Sequence, residues 1–126
     1  MPSPLSILII DDEEELAALF KHSVASMGLD AISFTNPLLA FEYFKNNKNK
    51  FSLVITDLRM PGMCGVELAK KVRELNDSVK ILLITAFDTA DLKSSEAYQS
   101  AKIDKVIQKP IKLSILKKII EENLRN

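Results

Sequence analysis

The stretch FSLVITDLRMPGMCGVELAKKVREL, residues 51–75, decides how this chain folds. Its opening, FSLVIT (51–56), is a short continuous apolar run, the pattern of a strand covered on both faces. The run ends on Asp57, and Pro61-Gly62 turns the chain soon after. Val66, Ala69, Val72 and Leu75 then recur at helical spacing. A strand, a turn and a helix therefore follow one another directly. A carboxylate after a strand is often only a cap or a turn former. The meaning of Asp57 depends on what the rest of the chain brings beside it.

The same unit recurs in both directions. LSILII (5–10) reads as a buried strand, and residues 13–27 place Leu16, Leu19, Phe20, Val24 and Met27 on the inner face of a helix that Gly28 closes. DAISF (30–34) is a second strand. Asn36-Pro37 opens the next helix in cap-then-proline order, with Leu38, Phe41 and Phe44 inward and the polar run NNKNK at its end. Beyond residue 75, KILLITA (80–86) is a strand, followed by a polar helix over 90–101 and a short strand DKVIQ (104–108). A last helix starts at about 112, with Ile115 or Leu116, Ile119 and Ile120 facing inward. Five strands in strict alternation with five helices give an α/β fold, a parallel sheet wrapped on both faces.

Composition narrows the class. The 126 residues are 47% apolar and 27% charged, with a formal net charge of +0, which suits one globular domain (1–126, core about 5–124). Nothing in that balance draws the chain to nucleic acid or an anionic membrane. The single cysteine, Cys64, has no Cys or His near it at metal-ligand spacing and reads as a loop thiol. No apolar run reaches the length of a membrane span, and MPSPLS lacks the features of a signal peptide, so the expected location is the cytoplasm.

In open parallel sheets the working site lies beyond the carboxyl ends of the strands. Those ends carry Asp11-Asp12, Asp57, Thr85-Ala86 and Lys109-Pro110. Three crowded carboxylates need a cation or raised pKa values. Mg²⁺, which takes a few carboxylates together with waters and phosphate oxygens, fits that set. Any one of these residues is unremarkable at a strand end, and their joint placement on four strands is what carries weight.

The four segments IIDDE (9–13), TDLRMPGMCG (56–65), ITA (84–86) and QKP (108–110) resemble, in order and spacing, the receiver domain of the response regulators of two-component signalling, of the kind carried by the chemotaxis response regulator. The resemblance covers about residues 5–124. It implies a flavodoxin-like, doubly wound sheet with strand order 2-1-3-4-5. It implies a phosphorylatable switch, with Asp57 taking a phosphoryl group from a histidine kinase or phosphotransfer protein. Asp12 and Asp57 then match direct Mg²⁺ ligands, Asp11 an acid acting through a metal-bound water, and Arg59 the backbone carbonyl that completes the shell. Lys109 matches the lysine that pairs with phosphoryl oxygens, aimed in the family by a cis Lys-Pro bond. Thr85 matches the hydroxyl that swings towards the phosphate. A downstream target protein is implied as partner, and a dimer through the helix 4–strand 5–helix 5 face is a further expectation.

Two positions depart from the family pattern. Val106 stands where an aromatic ring usually couples the hydroxyl to the surface, and Ile111 where many relatives have Phe. Arg59 and Phe87, each two residues beyond a site residue, occupy positions that tune acyl-phosphate lifetime in the family. Of the remaining residues, His22 reads as a surface or boundary side chain, Glu13 as a cap of the first helix, and Thr89 with Ser94 or Ser95 as caps of the fourth. Met60 and Met63 read as packing residues.

Three other functions use a similar fold or similar acids. An aspartyl-phosphate hydrolase wants a second acid where the chain has Arg59, and a flavin module wants a Gly- or Ser-rich loop where the chain has DDEEE. A pseudo-receiver, binding partners without phosphorylation, stays open because of Val106. With the sequence ending in ENLRN, the expectation is a stand-alone receiver ahead of a domain of a longer protein.

Overall fold

A computed structural model describes residues 6–87, 90 and 92–124. Its strands are β1 (Ser6–Ile10), β2 (Asp30–Phe34), β3 (Phe51–Asp57), β4 (Lys80–Thr85) and β5 (Lys105–Gln108). Its helices are α1 (Glu14–Ala25), α2 (Pro37–Asn46), α3 (Gly65–Leu75), α4 (Glu96–Ala101) and α5 (Leu113–Leu124). All four strand pairings are parallel, in the order β2-β1-β3-β4-β5. This is the flavodoxin-like order.

Alternation along each strand sorts the core into two layers. Ile7, Ile9, Leu53, Ile55, Leu82 and Ile84 pack with Phe20 and Val24 of α1 and Leu116, Ile119 and Ile120 of α5. Leu8, Ile10, Val54 and Ile81 pack with Phe44, Leu68, Ala69, Val72 and Ala101 of α2, α3 and α4. A sheet covered on both faces has no polar side, which is why its strands read as continuous apolar runs.

Several expectations of detail are corrected. Leu19 and Leu38 are exposed, because the inner stripes run 17-20-24 on α1 and 37-40-44 on α2, and each leucine lies beside its stripe. The fourth helix is shorter than 90–101: a 3₁₀ turn, Leu92–Ser94, precedes α4. Ser95 caps α4, its Oγ accepting from the Tyr98 N–H at 3.2 Å, while Thr89 lies outside the described residues. Glu13 takes the N-cap position of α1 without a side-chain cap hydrogen bond. Leu116, not Ile115, is the buried alternative on α5. His22 is exposed, and Met60 and Met63 are packed in the core as expected.

Sequence patterning gave no sign of Arg73. This α3 residue is buried, and its guanidinium donates to the carbonyls of Ala101, Lys102, Asp77 and Val79 at 2.6–3.0 Å and lies 3.4 Å from Asp104 Oδ2. The fork joins the end of α3, the entry to β4 and the end of α4.

Candidate functional site

The site is assembled by ladder geometry. β1 and β3 lie side by side, with Ile10 opposite Thr56, so Asp11 and Asp57 emerge next to each other at the sheet's carboxyl edge. β4 and β5 pair as far as Thr85 and Gln108, and Lys109 N–H extends that ladder by donating to the Thr85 carbonyl at 2.8 Å. Lys109 therefore leaves β5 pointing over the same edge. The Lys109-Pro110 peptide is cis.

Carboxylate oxygens of Asp11, Asp12 and Asp57 all lie within 4.8 Å of one another. Asp11 is 2% exposed and Asp57 8%, whereas Asp12 faces solvent. Lys109 Nζ reaches into the cluster, donating to Asp11 Oδ2 at 3.0 Å and lying 3.3 Å from Asp57 Oδ2. Burial raises the Asp57 pKa above 3.8, and the Asp11 charge adds to this; Lys109 and the Leu58 N–H, which donates to Asp57 Oδ1 at 2.8 Å, oppose it. For Lys109, burial would lower the pKa, but the hydrogen bond and charge of Asp11, then those of Asp57, outweigh it and hold the ammonium above 10.5. The arrangement is a partly buried, acid-rich pocket with one fixed cation.

The backbone around Asp57 is pinned from two sides. Its carbonyl accepts from Thr56 Oγ1 at 2.9 Å, and Gly65 N–H donates to the Leu58 carbonyl at 2.7 Å. A methyl group at Gly65 would stand well inside contact distance of the Asp57 carbonyl oxygen and 3.0 Å from Leu83 Cδ1. Only glycine lets α3 begin this close to the strand end.

Thr85 is fully buried, and its Oγ1 accepts from the Phe87 N–H at 3.0 Å. The Phe87 carbonyl in turn accepts from Gln108 Nε2 at 3.0 Å, tying the loop after β4 to β5. The Arg59 guanidinium carbon lies 4.1 Å from the centre of the Phe87 ring, so the two loops beyond β3 and β4 meet in a cation–π contact. Val106 is half-buried in a small cluster with Leu58, Val66 and Leu83, which Tyr98 of α4 also joins. Sequence reasoning placed Asp11, Asp12, Asp57, Thr85 and Lys109 at one edge. It missed the contacts of Gly65, Gln108 and Tyr98, whose spacing alone carries no signal.

The family model for the response regulator receiver domain matches residues 7–121. The chain belongs to this family. Receiver domains are signalling switches that engage histidine kinases and downstream effectors, and they bind Mg²⁺ in an acidic pocket. This receiver domain is 33% identical over 119 residues to the response regulator receiver protein CpdR of Brucella abortus (strain 2308), covering 94% of the chain and 95% of that protein. It is 35% identical over 117 residues to the sensor protein EvgS of Escherichia coli (strain K12), covering 93% of the chain but only 9% of EvgS. Among solved structures, the response regulator TrrA of Thermotoga maritima, in complex with Mg(2+)-BeF, superposes with a TM-score of 0.80 at 28% identity, over 95% of this chain and 99% of that one. Among the described residues, no helix is long and apolar enough to cross a membrane.

Proposed function

We propose that this receiver domain takes a phosphoryl group on Asp57 from the phosphohistidine of a kinase or phosphotransfer protein, and that the acyl phosphate changes which partner it binds. The observation that supports this reading is the cluster of Asp11, Asp12 and Asp57 with Lys109 bridging two of them.

The chemistry asks for little beyond alignment and charge neutralisation. An Asp57 carboxylate oxygen attacks phosphorus, the P–N bond of the donor breaks, and the imidazole nitrogen keeps the electron pair. Lys109 neutralises charge gathering on the phosphoryl oxygens. Asp11, Asp12, Asp57 and the backbone carbonyl of Arg59 would hold Mg²⁺, whose charge offsets that of the carboxylates and the phosphoryl group. Hydrolysis reverses the modification: water attacks phosphorus, phosphate leaves and the Asp57 carboxylate is regenerated. Turnover is thus confined to the domain's own modification.

Readout begins at Thr85. Its hydroxyl is engaged by the Phe87 N–H. Turning it towards a phosphoryl group on Asp57 releases that bond and frees the loop which Gln108 and Arg59 hold. With Val106 in place of the usual ring, the movement would reach the α4–β5–α5 face through backbone and through the Val106 and Tyr98 cluster. Residues 1–126 act in this reading as one receiver domain in the cytoplasm, working through protein contacts.

The test is intact-mass measurement after incubation with acetyl phosphate, with Mg²⁺ or with EDTA, beside an Asp57→Ala control. A Mg²⁺-dependent, base-labile phosphoryl adduct that the control lacks is expected. No adduct from acetyl phosphate or a cognate phosphohistidine donor, in protein that binds Mg²⁺, would favour the pseudo-receiver instead.

A further inference from the structure

The two edges of the sheet are built differently. β5 has four residues and opens on the exposed Lys105, both of which blunt an edge against pairing. β2, at the other edge, is DAISF, half-buried after Asp30 and free of Lys, Pro or a bulge. Among the described residues it pairs with β1 alone, so one side of its backbone ladder has no strand beside it.

A groove of about 670 Å³ runs beside this edge, lined by α1, the end of β2 and Leu39 of α2. Leu39 is 59% exposed, the most of any large apolar side chain among the described residues. The lining face of α1 runs in a fixed order, with the acid Glu14 at its start, Ala18 in the middle, then the basic Lys21 beside the His22 imidazole. All four are exposed, and among the described residues neither Glu14 nor Lys21 has an ion-pair partner within the chain.

That order is self-complementary. Glu14 and His22 stand four residues either side of Ala18, about 6 Å along the axis in each direction, and Lys21 adjoins His22. Two such helices laid antiparallel about a two-fold axis at Ala18 bring each Glu14 against Lys21 and His22 of the other. The alanine at the crossing allows axes to approach to about 8 Å. Each contact then occurs twice, as an isologous interface requires.

We propose that a second copy of this chain docks on the α1–β2 edge, through antiparallel α1 helices centred on Ala18, with Leu39 of each copy covered by the other. The inference does not rest on phosphorylation. It leaves the α4–β5–α5 face free for a target.

Sedimentation of the whole chain from about 5 μM to about 1 mM spans the affinity expected of a small interface. The expected mass rises from 14.1 kDa towards twice that value. Ala18→Arg should weaken association at least about tenfold, and so should Glu14→Lys; adding Lys21→Glu to Glu14→Lys should restore it. Ala18→Cys in a Cys64→Ser background, treated with copper–phenanthroline, should give a covalent dimer across the axis. Circular dichroism melting checks that each variant is folded. If Ala18→Arg does not fold, the charge-reversal pair and the cross-link decide. A mass of 14.1 kDa at every concentration would overturn the proposal. So would a dimer indifferent to charge reversal and refractory to cross-linking at Ala18, which would move the contact to another face such as α4–β5–α5.

Discussion

Gly65→Ala is the sharpest perturbation of the site, because it touches none of the reacting groups. Its methyl would collide with the Asp57 carbonyl oxygen, which belongs to the central strand and cannot swing aside as a side chain would. Leu83 Cδ1, 3.0 Å from the methyl, closes the other direction. The backbone at Asp57 must therefore retreat by about 1 Å, a misplacement that costs on the order of 100-fold in a reaction between aligned groups. Overpacking of this kind destabilises by about 1–3 kcal/mol, roughly 4 °C in melting temperature for each kcal/mol at this chain length. Gly28→Ala is the comparison: Gly28 has φ +82° and open space around its Cα, so its cost is backbone strain alone, about 1 kcal/mol. Phosphorylation by acetyl phosphate, followed by intact mass over time, should slow about 100-fold in Gly65→Ala and stay unchanged in Gly28→Ala. Equal rates in the two variants would refute the claim that Gly65 sets the position of Asp57.

Three other outcomes follow from the geometry. The folded-state pKa of Asp57 lies above 3.8, so the metal-free protein binds this proton more readily than the unfolded chain and loses stability as pH rises from 3.8 through the folded value. Asp57→Asn should remove that loss, giving a higher melting temperature than wild type at neutral pH in EDTA, and a smaller stabilisation by Mg²⁺; a lower one would contradict the sign. Arg73→Met keeps the apolar stem but strands the carbonyls that the guanidinium satisfies, at a cost of about 3–5 kcal/mol by urea denaturation. Replacing Arg59 and Phe87 together with alanine removes the contact between the two loops and should shorten the acyl-phosphate half-life; an unchanged half-life would show that the pair does not screen water from phosphorus.

The elements whose signal is local were legible in the sequence. β3 and α3 follow from an apolar run and a 3.6-residue stripe, and the acids stand out because each ends such a run. Leu19 and Leu38 misled because hydrophobicity suggests burial while the helix phase, set by neighbours such as Phe20 and Ala40, decides it. α4 was overextended because a 3₁₀ turn and a short helix share one polar composition. The partners of Arg73 were invisible for a different reason. They are main-chain carbonyls, and which ones come within reach is settled only when three segments meet.

That fork also dictates how α4 can move. Its carboxyl end is held at the Ala101 and Lys102 carbonyls by directed hydrogen bonds, whereas among the described residues its amino half carries the Ser95 cap and the non-directional apolar packing of Ala97 and Tyr98. A disturbance arriving from Thr85 would therefore swing the helix about a fixed fulcrum instead of sliding it. Six residues make a lever about 9 Å long, so a tilt of about 10° displaces its amino end by roughly 1.5 Å. A small rotation of one hydroxyl would thus be felt most at the start of α4 and least at Lys102.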